Sequence, residues 1–221
     1  ASDPDLGSKP QKWTKIVLKN GKGLEFRPCD FATIFVPALG TLGGTSALMP
    51  EWHPFSIAAA PSSGKITFCI KAMGPGTFTQ RLHDHVEGLK SKGEKLTLQL
   101  GGIYDGRPAT RLSDYERVIM VAGGIGITPF ISTLGYLLHQ GASQGATKQK
   151  TRTLKSLALI WTCPFESQLR VFEKELVAAE QEAQEIGVEL TVSLFTSQDG
   201  TVRDGDMAKA TKPAQLGRVI G

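Results

Sequence analysis

Two short stretches of this chain hold residues whose types and order could do chemistry. The first is WHPFSIAAAPSS, residues 52 to 63, where His53, Pro54, Phe55 and Ser56 set an imidazole, a ring-locked backbone, an aromatic face and a hydroxyl in consecutive positions. An imidazole titrates near neutrality and can meet an anion, and a hydroxyl is a compact donor. In an extended strand Phe55 and Ser56 point to opposite sides. A local turn or bulge, seeded by Pro54, is therefore needed before both can meet one ligand. The plain structural alternative keeps His53 as an ordinary histidine and Phe55 and Ile57 as core.

The second stretch is VIMVAGGIGITPF, in which Gly123, Gly124 and Gly126 follow an apolar run and precede a helical one. Glycines in that position let the backbone approach a pyrophosphate and present its N–H groups. The strand-to-helix context points to dinucleotide binding; tight strand-to-helix packing is the alternative. The GxGxxG fingerprint is not completed, because Pro129 stands where the third glycine belongs. The next apolar run, LALIWTCP, ends on Trp161, Thr162 and Cys163, with no carboxylate ready for a ribose diol. A standard Rossmann dehydrogenase is not expected.

These stretches need two kinds of scaffold, and the periodicity changes near residue 112. Before it, TKIVLKNGKGLEFRP, FATIFVPAL, KITFCIKAM and EKLTLQLGG are short β-prone runs separated by turn residues. They predict a small antiparallel barrel or sandwich with one helical stretch from Thr79 to Leu89. Thr79 starts that helix, where its side chain can cap and free N–H groups can meet a pyrophosphate. After residue 112, RVIMVA, SLALIW and VELTVSLF read as strands alternating with helices. PFISTLGYLLHQ carries Thr128 as N-cap and Pro129 at its first position. ESQLRVFEKELVAAEQEAQEIG spaces Leu169, Phe172, Leu176, Ala183 and Ile186 helically and stops at Gly187. This βαβαβ order predicts a parallel sheet with its ligand crevice at the strand carboxyl ends. The expected division is residues 1–112 and 113–221. GASQGATKQKTRTLK reads as a mobile loop, and the segment from Gln198 to Gly221 has no clear period.

The 221 residues, 40% hydrophobic and 21% charged, suit a soluble globular protein with a sizeable core. The net charge of +4 comes from scattered lysines and arginines without basic runs, which argues against nucleic acid. Cys29, Cys69 and Cys163 form no CxxC pair, so neither a zinc site nor a disulfide framework is indicated; reduced thiols in a cytosolic setting are expected. His83 and His85 fall on different helix faces without a third ligand, and no metal is expected. No apolar run is long enough to span a membrane, and no signal peptide is evident.

The two stretches together carry a family resemblance. HPFSIAAAPSS resembles the flavin-binding segment of the NADPH oxidase and ferric reductase family, whose dehydrogenase portion is of the ferredoxin-NADP reductase class. AGGIGITPF is similar to that family's nicotinamide-cofactor loop, in the same order along the chain. IKAMGPGTFTQRL and LIWTCPFESQL resemble two further segments of the same family. The resemblance implies a β-barrel flavin-binding domain followed by an α/β parallel-sheet nucleotide-binding domain. It implies FAD and NADPH as cofactors, with NADH possible. His53 then holds the diphosphate side of the flavin, with Pro54 and Ile57 in the same segment. Phe55 lies against the isoalloxazine, and Ser56 brings its hydroxyl near the reactive nitrogen. Lys71 is a counter-charge for phosphate or else merely solvated. Gly76, Phe78 and Thr79 open a helix beneath the pyrophosphate. Gly123, Gly124, Gly126, Thr128 and Pro129 take the nicotinamide nucleotide. Trp161 and Cys163 close its pocket, with Cys163 beside the nicotinamide and, with Ser56, in the catalytic set. Burial as a small hydrophobe is the alternative for Cys163.

The chain departs from the family at several places. GGIYDG, residues 101 to 106, stands where the family has a GPYG turn, with Ile103 for proline and Asp105 inserted. Pro164 follows Cys163 where the family often has arginine, which leaves NADPH over NADH on analogy. The family's late Cys-Gly-Pro segment and C-terminal aromatic are not found before Gly221, so the nucleotide domain is expected to be C-terminally incomplete. The implied function is hydride transfer from NAD(P)H to FAD, then single electrons to a haem-bearing transmembrane domain that this chain lacks. The end product is superoxide or ferrous ion, with this portion on the cytosolic side of the membrane. The alternatives are a soluble reductase serving a separate carrier protein, and a non-catalytic subunit that keeps the fold.

Overall fold

The computed structural model describes residues 12–40, 50–106, 112–143, 154–197 and 212–213. The segment read as a mobile loop lies mostly outside these, as does nearly all of the stretch after Gln198. In the first half, strand β1 (Trp13–Lys19) pairs antiparallel with β4 (Lys65–Lys71), and β2 (Phe31–Phe35) runs between β3 (His53–Ser56) and β5 (Gln99–Tyr104). Alternation explains β1: Thr14 and Ile16 turn inward while Lys15, Val17 and Lys19 face out. The strand stops at Asn20, whose side-chain amide donates to the Leu24 carbonyl and accepts from the Leu24 N–H, both at 2.8 Å. That local bracket competes with further pairing.

The described strands form a ribbon and a three-stranded sheet rather than one closed barrel. Backbone bonds from Ile57 N–H to the Asp30 carbonyl (3.0 Å) and from Ala58 N–H to the Thr67 carbonyl (2.7 Å) join the two. Helix α1 (Phe78–Lys92) closes the open side by burying Phe78 and Leu82. Ile34, Ile57, Phe68, Ile70 and Leu82 are the centre of this core, each fully buried apolar side chain contributing about 1.5–3 kcal/mol.

The second half is the expected α/β unit. Strands β6 (Arg117–Gly123), β7 (Ser156–Cys163) and β8 (Glu189–Thr196) are parallel in that spatial order, and β9 (Lys212–Pro213) adds antiparallel to β8. Helix α2 (Thr128–Ser143), the short α3 (Glu166–Leu169) and α4 (Glu173–Glu185) connect them. The sequence reads α3 and α4 as one helix, but a 3-10 turn at Arg170–Phe172 interrupts it. Phe172 is drawn fully inward against Trp161, ring centroids 6.1 Å apart, and its backbone leaves helical geometry. RVIMVA, read as a buried strand, is buried on one face: Val118, Met120 and Ala122 are inside, while Ile119 and Val121 are 71% and 65% exposed. The described helices cover only the opposite side of the sheet.

The halves share a core. Ala58 and Cys69 belong to the same cluster as Leu138, Leu159 and Trp161, and Trp13 packs against Trp161 at 6.4 Å.

Candidate functional site

Strand β3 pairs without interruption, Ser56 opposite Phe31, Phe55 opposite Ala32, Pro54 opposite Thr33 and His53 opposite Ile34. The bulge that the sequence placed at Pro54 is absent, because β3 is the edge of its sheet and a proline there gives up no ladder bond. The irregularity lies across β2 instead: between Ala32 and Ile34 the register against β5 slips from Ile103 to Leu100, through Gly101 and Gly102. The segment expected as a turn is thus a bulged strand. A Cβ on Gly101 would meet the Trp52 ring at 3.0 Å and the Thr33 hydroxyl, so the glycine is a packing requirement.

Regular pairing puts His53 and Phe55 on one face of β3 and Pro54 and Ser56 on the other. The His53 ring stacks on Phe78 at 3.7 Å, and Phe55 lies 6.3 Å from the same ring. Ile57, just past the strand, is fully buried and packs in the core. Below this face, the Gly74-Pro75-Gly76 loop leads into α1. Gly76, at φ +80°, holds a conformation that side chains resist. The N-cap is Thr77, whose hydroxyl accepts from Gln80 N–H at 3.2 Å, and not Thr79. Thr79 is the second helical residue and its hydroxyl accepts from Met73 N–H at 3.0 Å, pinning the loop. The first-turn N–H groups of Phe78 and Thr79 have no carbonyl partner within the helix and carry its positive dipole end.

Glu51 and Arg81 complete this corner, and neither was singled out from the sequence. Arg81 donates from Nη1 to the Leu39 carbonyl at 2.8 Å and from Nη2 to Glu51 Oε2 at 3.3 Å. Glu51 Oε1 is 3.1 Å from His53 Nε2, a contact too poorly aligned to satisfy that nitrogen, which remains buried and unbonded, as does Arg81 Nε. Burial holds the His53 pKa below the ordinary 6.5; Glu51 pulls upward and Arg81 adds a smaller downward push. His53 is therefore a neutral donor or acceptor at pH 7. Arg81 had one legible signal: a cation near a helix N-terminus opposes the macrodipole and implies another reason to be there.

The glycine loop is built differently from its sequence reading. Helical winding begins at Gly124, as a 3-10 turn over Gly124–Ile127 that runs directly into α2. Thr128 is already helical at φ −52°, ψ −48°, and its hydroxyl donates back to the Ile125 carbonyl at 3.3 Å, so it is not an N-cap. The cause is Gly124, whose φ of +50° lets the chain turn four residues early. The end of β7 ties this peptide down from beneath. Trp161, fully buried, donates from Nε1 to the Gly124 carbonyl at 2.9 Å, and the Gly124 N–H bonds to the Cys163 sulfur. Cys163 is 1% exposed. Burial pushes its thiol up to about 12, against smaller downward pulls from Gly124 and the ammonium of Lys71. Lys71, from the first half, thus lies near the carboxyl end of β7.

The two stretches meet. Ser132 on α2 donates to the Ala59 carbonyl at 2.8 Å, and a Cβ on Gly135 would strike the Ala60 methyl at 2.7 Å. The segment after β3 and the helix after the glycine loop are therefore packed against each other. A family model described as an FAD-binding domain matches residues 7–124, just over half of the chain, and one described as the ferric reductase NAD binding domain matches residues 115–215. This chain belongs to the ferric reductase and NADPH oxidase family. It is 28% identical over 135 residues to ferric reduction oxidase 5 of Arabidopsis thaliana, covering 61% of this chain and 17% of that protein. It is 23% identical over 212 residues to a superoxide-generating NADPH oxidase heavy chain of Dictyostelium discoideum, covering 90% of this chain and 29% of that one. The chain thus spans under a third of these relatives. Among solved structures, it resembles a ferredoxin NADP+ reductase from Neisseria gonorrhoeae, with bound FAD and NADP, at TM-score 0.58 and 16% identity over 86% of this chain and 64% of that one. It also resembles the flavohem-like FAD/NAD binding domain of nitric oxide dioxygenase from Vibrio cholerae, at TM-score 0.56 and 19% identity over 89% of this chain and 75% of that one. The fold is therefore that of a ferredoxin-NADP reductase-like module, a flavin-binding β unit followed by an α/β nucleotide-binding unit. Among the described residues, no helix is long and apolar enough to cross a membrane.

Proposed function

We propose that this family member is the dehydrogenase module of a larger oxidoreductase, its flavin unit within residues 1–112 and its nucleotide unit within 113–221. Hydride passes from NAD(P)H to FAD, and single electrons then go to haem in a transmembrane portion. There oxygen is reduced to superoxide or ferric ion to ferrous, with this module on the cytosolic side. The observation that carries the reading is the packing of the β3 continuation, Ala59 and Ala60, on the helix that leaves the glycine loop. It sets the edge of β3 and the end of β7 on either side of one junction.

The residues present fit the flavin nucleotide. Two buried nitrogens without hydrogen bonds, His53 Nε2 and Arg81 Nε, and the free first-turn N–H groups of α1 are donors suited to a diphosphate. FAD, when bound, supplies the hydride acceptor and the conversion of a two-electron donor into one-electron steps. The chain supplies position. Because β3 is an edge strand with Phe55 on one face and Ser56 on the other, these two side chains are the ones that would hold the flavin ring. Phe55 excludes water there, and Ser56 offers one donor without bulk. On the nucleotide side, the Ile125 N–H at the open start of the Gly124–Ile127 turn receives phosphate while Trp161 and Cys163 hold the loop in shape. Cys163 acts as a neutral packing thiol that keeps the nicotinamide side of the junction small, and Lys71 adds positive charge.

The test is an absorption spectrum of the chain after addition of FAD, followed anaerobically on addition of NADPH or NADH. A bound flavin band that bleaches supports the reading, and the relative rates rank the two nucleotides. Absence of any bound flavin overturns it.

A further inference from the structure

Glu51 is a carboxylate placed where an incoming ligand would bring negative charge of its own. Oε1 lies 3.1 Å from His53 Nε2 and Oε2 lies 3.3 Å from Arg81 Nη2, so one side chain spans both donors. Neither donor needs it for placement. The His53 ring is fixed by its stack on Phe78 at 3.7 Å, and the guanidinium is anchored by Nη1 on the Leu39 carbonyl at 2.8 Å. Nor does it satisfy them fully, since His53 Nε2 and Arg81 Nε stay unbonded in buried positions. What Glu51 does supply is charge. With one guanidinium, one carboxylate and a neutral imidazole the corner sums to zero.

We propose that Glu51 is an internal stand-in for the flavin diphosphate, a carboxylate that neutralises Arg81 and occupies His53 when the nucleotide is absent and repels the diphosphate when it arrives. This rests on the flavin-binding reading above. A positioning clamp predicts the opposite sign, loss of affinity on its removal. The stack on Phe78 and the bond to Leu39 argue against that, because they hold both donors without it. Glu51 thereby sets flavin affinity below what the donors alone would give.

The experiment titrates the full 221-residue chain with FAD, riboflavin and inorganic pyrophosphate, reading flavin fluorescence, for wild type, Glu51→Gln and Glu51→Ala. Circular dichroism and thermal melting check that each variant is folded, and the alanine variant carries the test if the glutamine variant is not. The expected result is FAD binding about five- to tenfold tighter in the variants, the scale of one half-buried charge interaction. Riboflavin, which has the ring without phosphate, binds equally to all three proteins. Pyrophosphate, which has the diphosphate without the ring, gains with FAD, so at saturating FAD its displacing concentration is the same for all three proteins. Equal or weaker FAD binding by the folded variants overturns the proposal, as does an equal gain for riboflavin. If wild type binds no FAD at all, the flavin-site reading falls and takes the stand-in role with it.

Discussion

Ser56 ends strand β3 on the face opposite Phe55, so its only contribution to a ring at the strand edge is its hydroxyl. Ser56→Ala removes one donor from a site otherwise unchanged. The expected effect is a three- to tenfold slower single-turnover flavin reduction, the worth of about 0.5–1.5 kcal/mol for one hydrogen bond, with FAD affinity within twofold. Anaerobic stopped-flow absorbance measures it, and an unchanged rate removes Ser56 from the chemistry. The buried thiols give a second residue-scale expectation. Burial pushes both Cys69 and Cys163 up to about 12 from an ordinary 9.0. Unfolded chains release these protons near pH 9 while the native chain keeps them, so stability is full below pH 9 and declines as pH rises toward 12. Urea midpoints should fall between pH 8.5 and pH 10.5, and the fall should be shallower in Cys163→Ala; a flat profile in wild type contradicts the burial of both thiols.

At the scale of elements, the entry to α1 decides how the Gly74–Gly76 loop is held. Thr77→Ala should cost about 1 kcal/mol in chemical denaturation, the usual worth of a cap, and Thr79→Ala less, because its hydroxyl serves the loop and not the helix. Equal costs would reject the assignment. The same helix shows what the sequence could and could not tell. The parallel βαβαβ half and the stop at Gly187 are legible because they rest on period and on a glycine at φ +69°. Capping is not, since Thr77 and Thr79 are two residues apart and equally good acceptors. Gly101 and Gly102 end the β-prone run EKLTLQLGG and open the segment set beside the family's GPYG turn; glycine marks both turns and bulges, and only the rings it packs against tell them apart. His53, Phe55 and Ser56 were legible by type and order, but Glu51 and Arg81 meet although they stand 30 positions apart. Pairings of that kind are set by tertiary packing, which leaves no local period. Ile119 and Val121 show the reverse, an apolar run that predicts burial but is covered on one side only among the described elements.

At the scale of the whole molecule, the proposed hydride transfer depends on how rigidly the two halves are held, because the reacting atoms must come within about 3–3.5 Å of each other. Among the described residues, Lys15 ties them together by charge. From β1 it donates to the Val171 carbonyl at 2.8 Å and to Glu175 Oε1 at 2.6 Å, and its ammonium sits 4.9 Å from the centre of the Phe172 ring. The pair is 27% and 35% exposed at its two side chains, so its share of folding stability is at most about 1 kcal/mol. Its share of junction geometry is larger, since Phe172 packs on Trp161, which in turn holds the Gly124 carbonyl. Lys15→Met keeps the aliphatic stem against Phe172 and removes the charge. We expect FAD and nicotinamide affinities within twofold of wild type, stability lowered by less than about 1 kcal/mol, and single-turnover flavin reduction slowed about fivefold or more. High salt should move the wild-type rate toward that of the variant by screening the pair, and should leave the variant nearly unchanged. A variant that reduces flavin at the wild-type rate would make Lys15 a surface ion pair with no part in aligning the two halves.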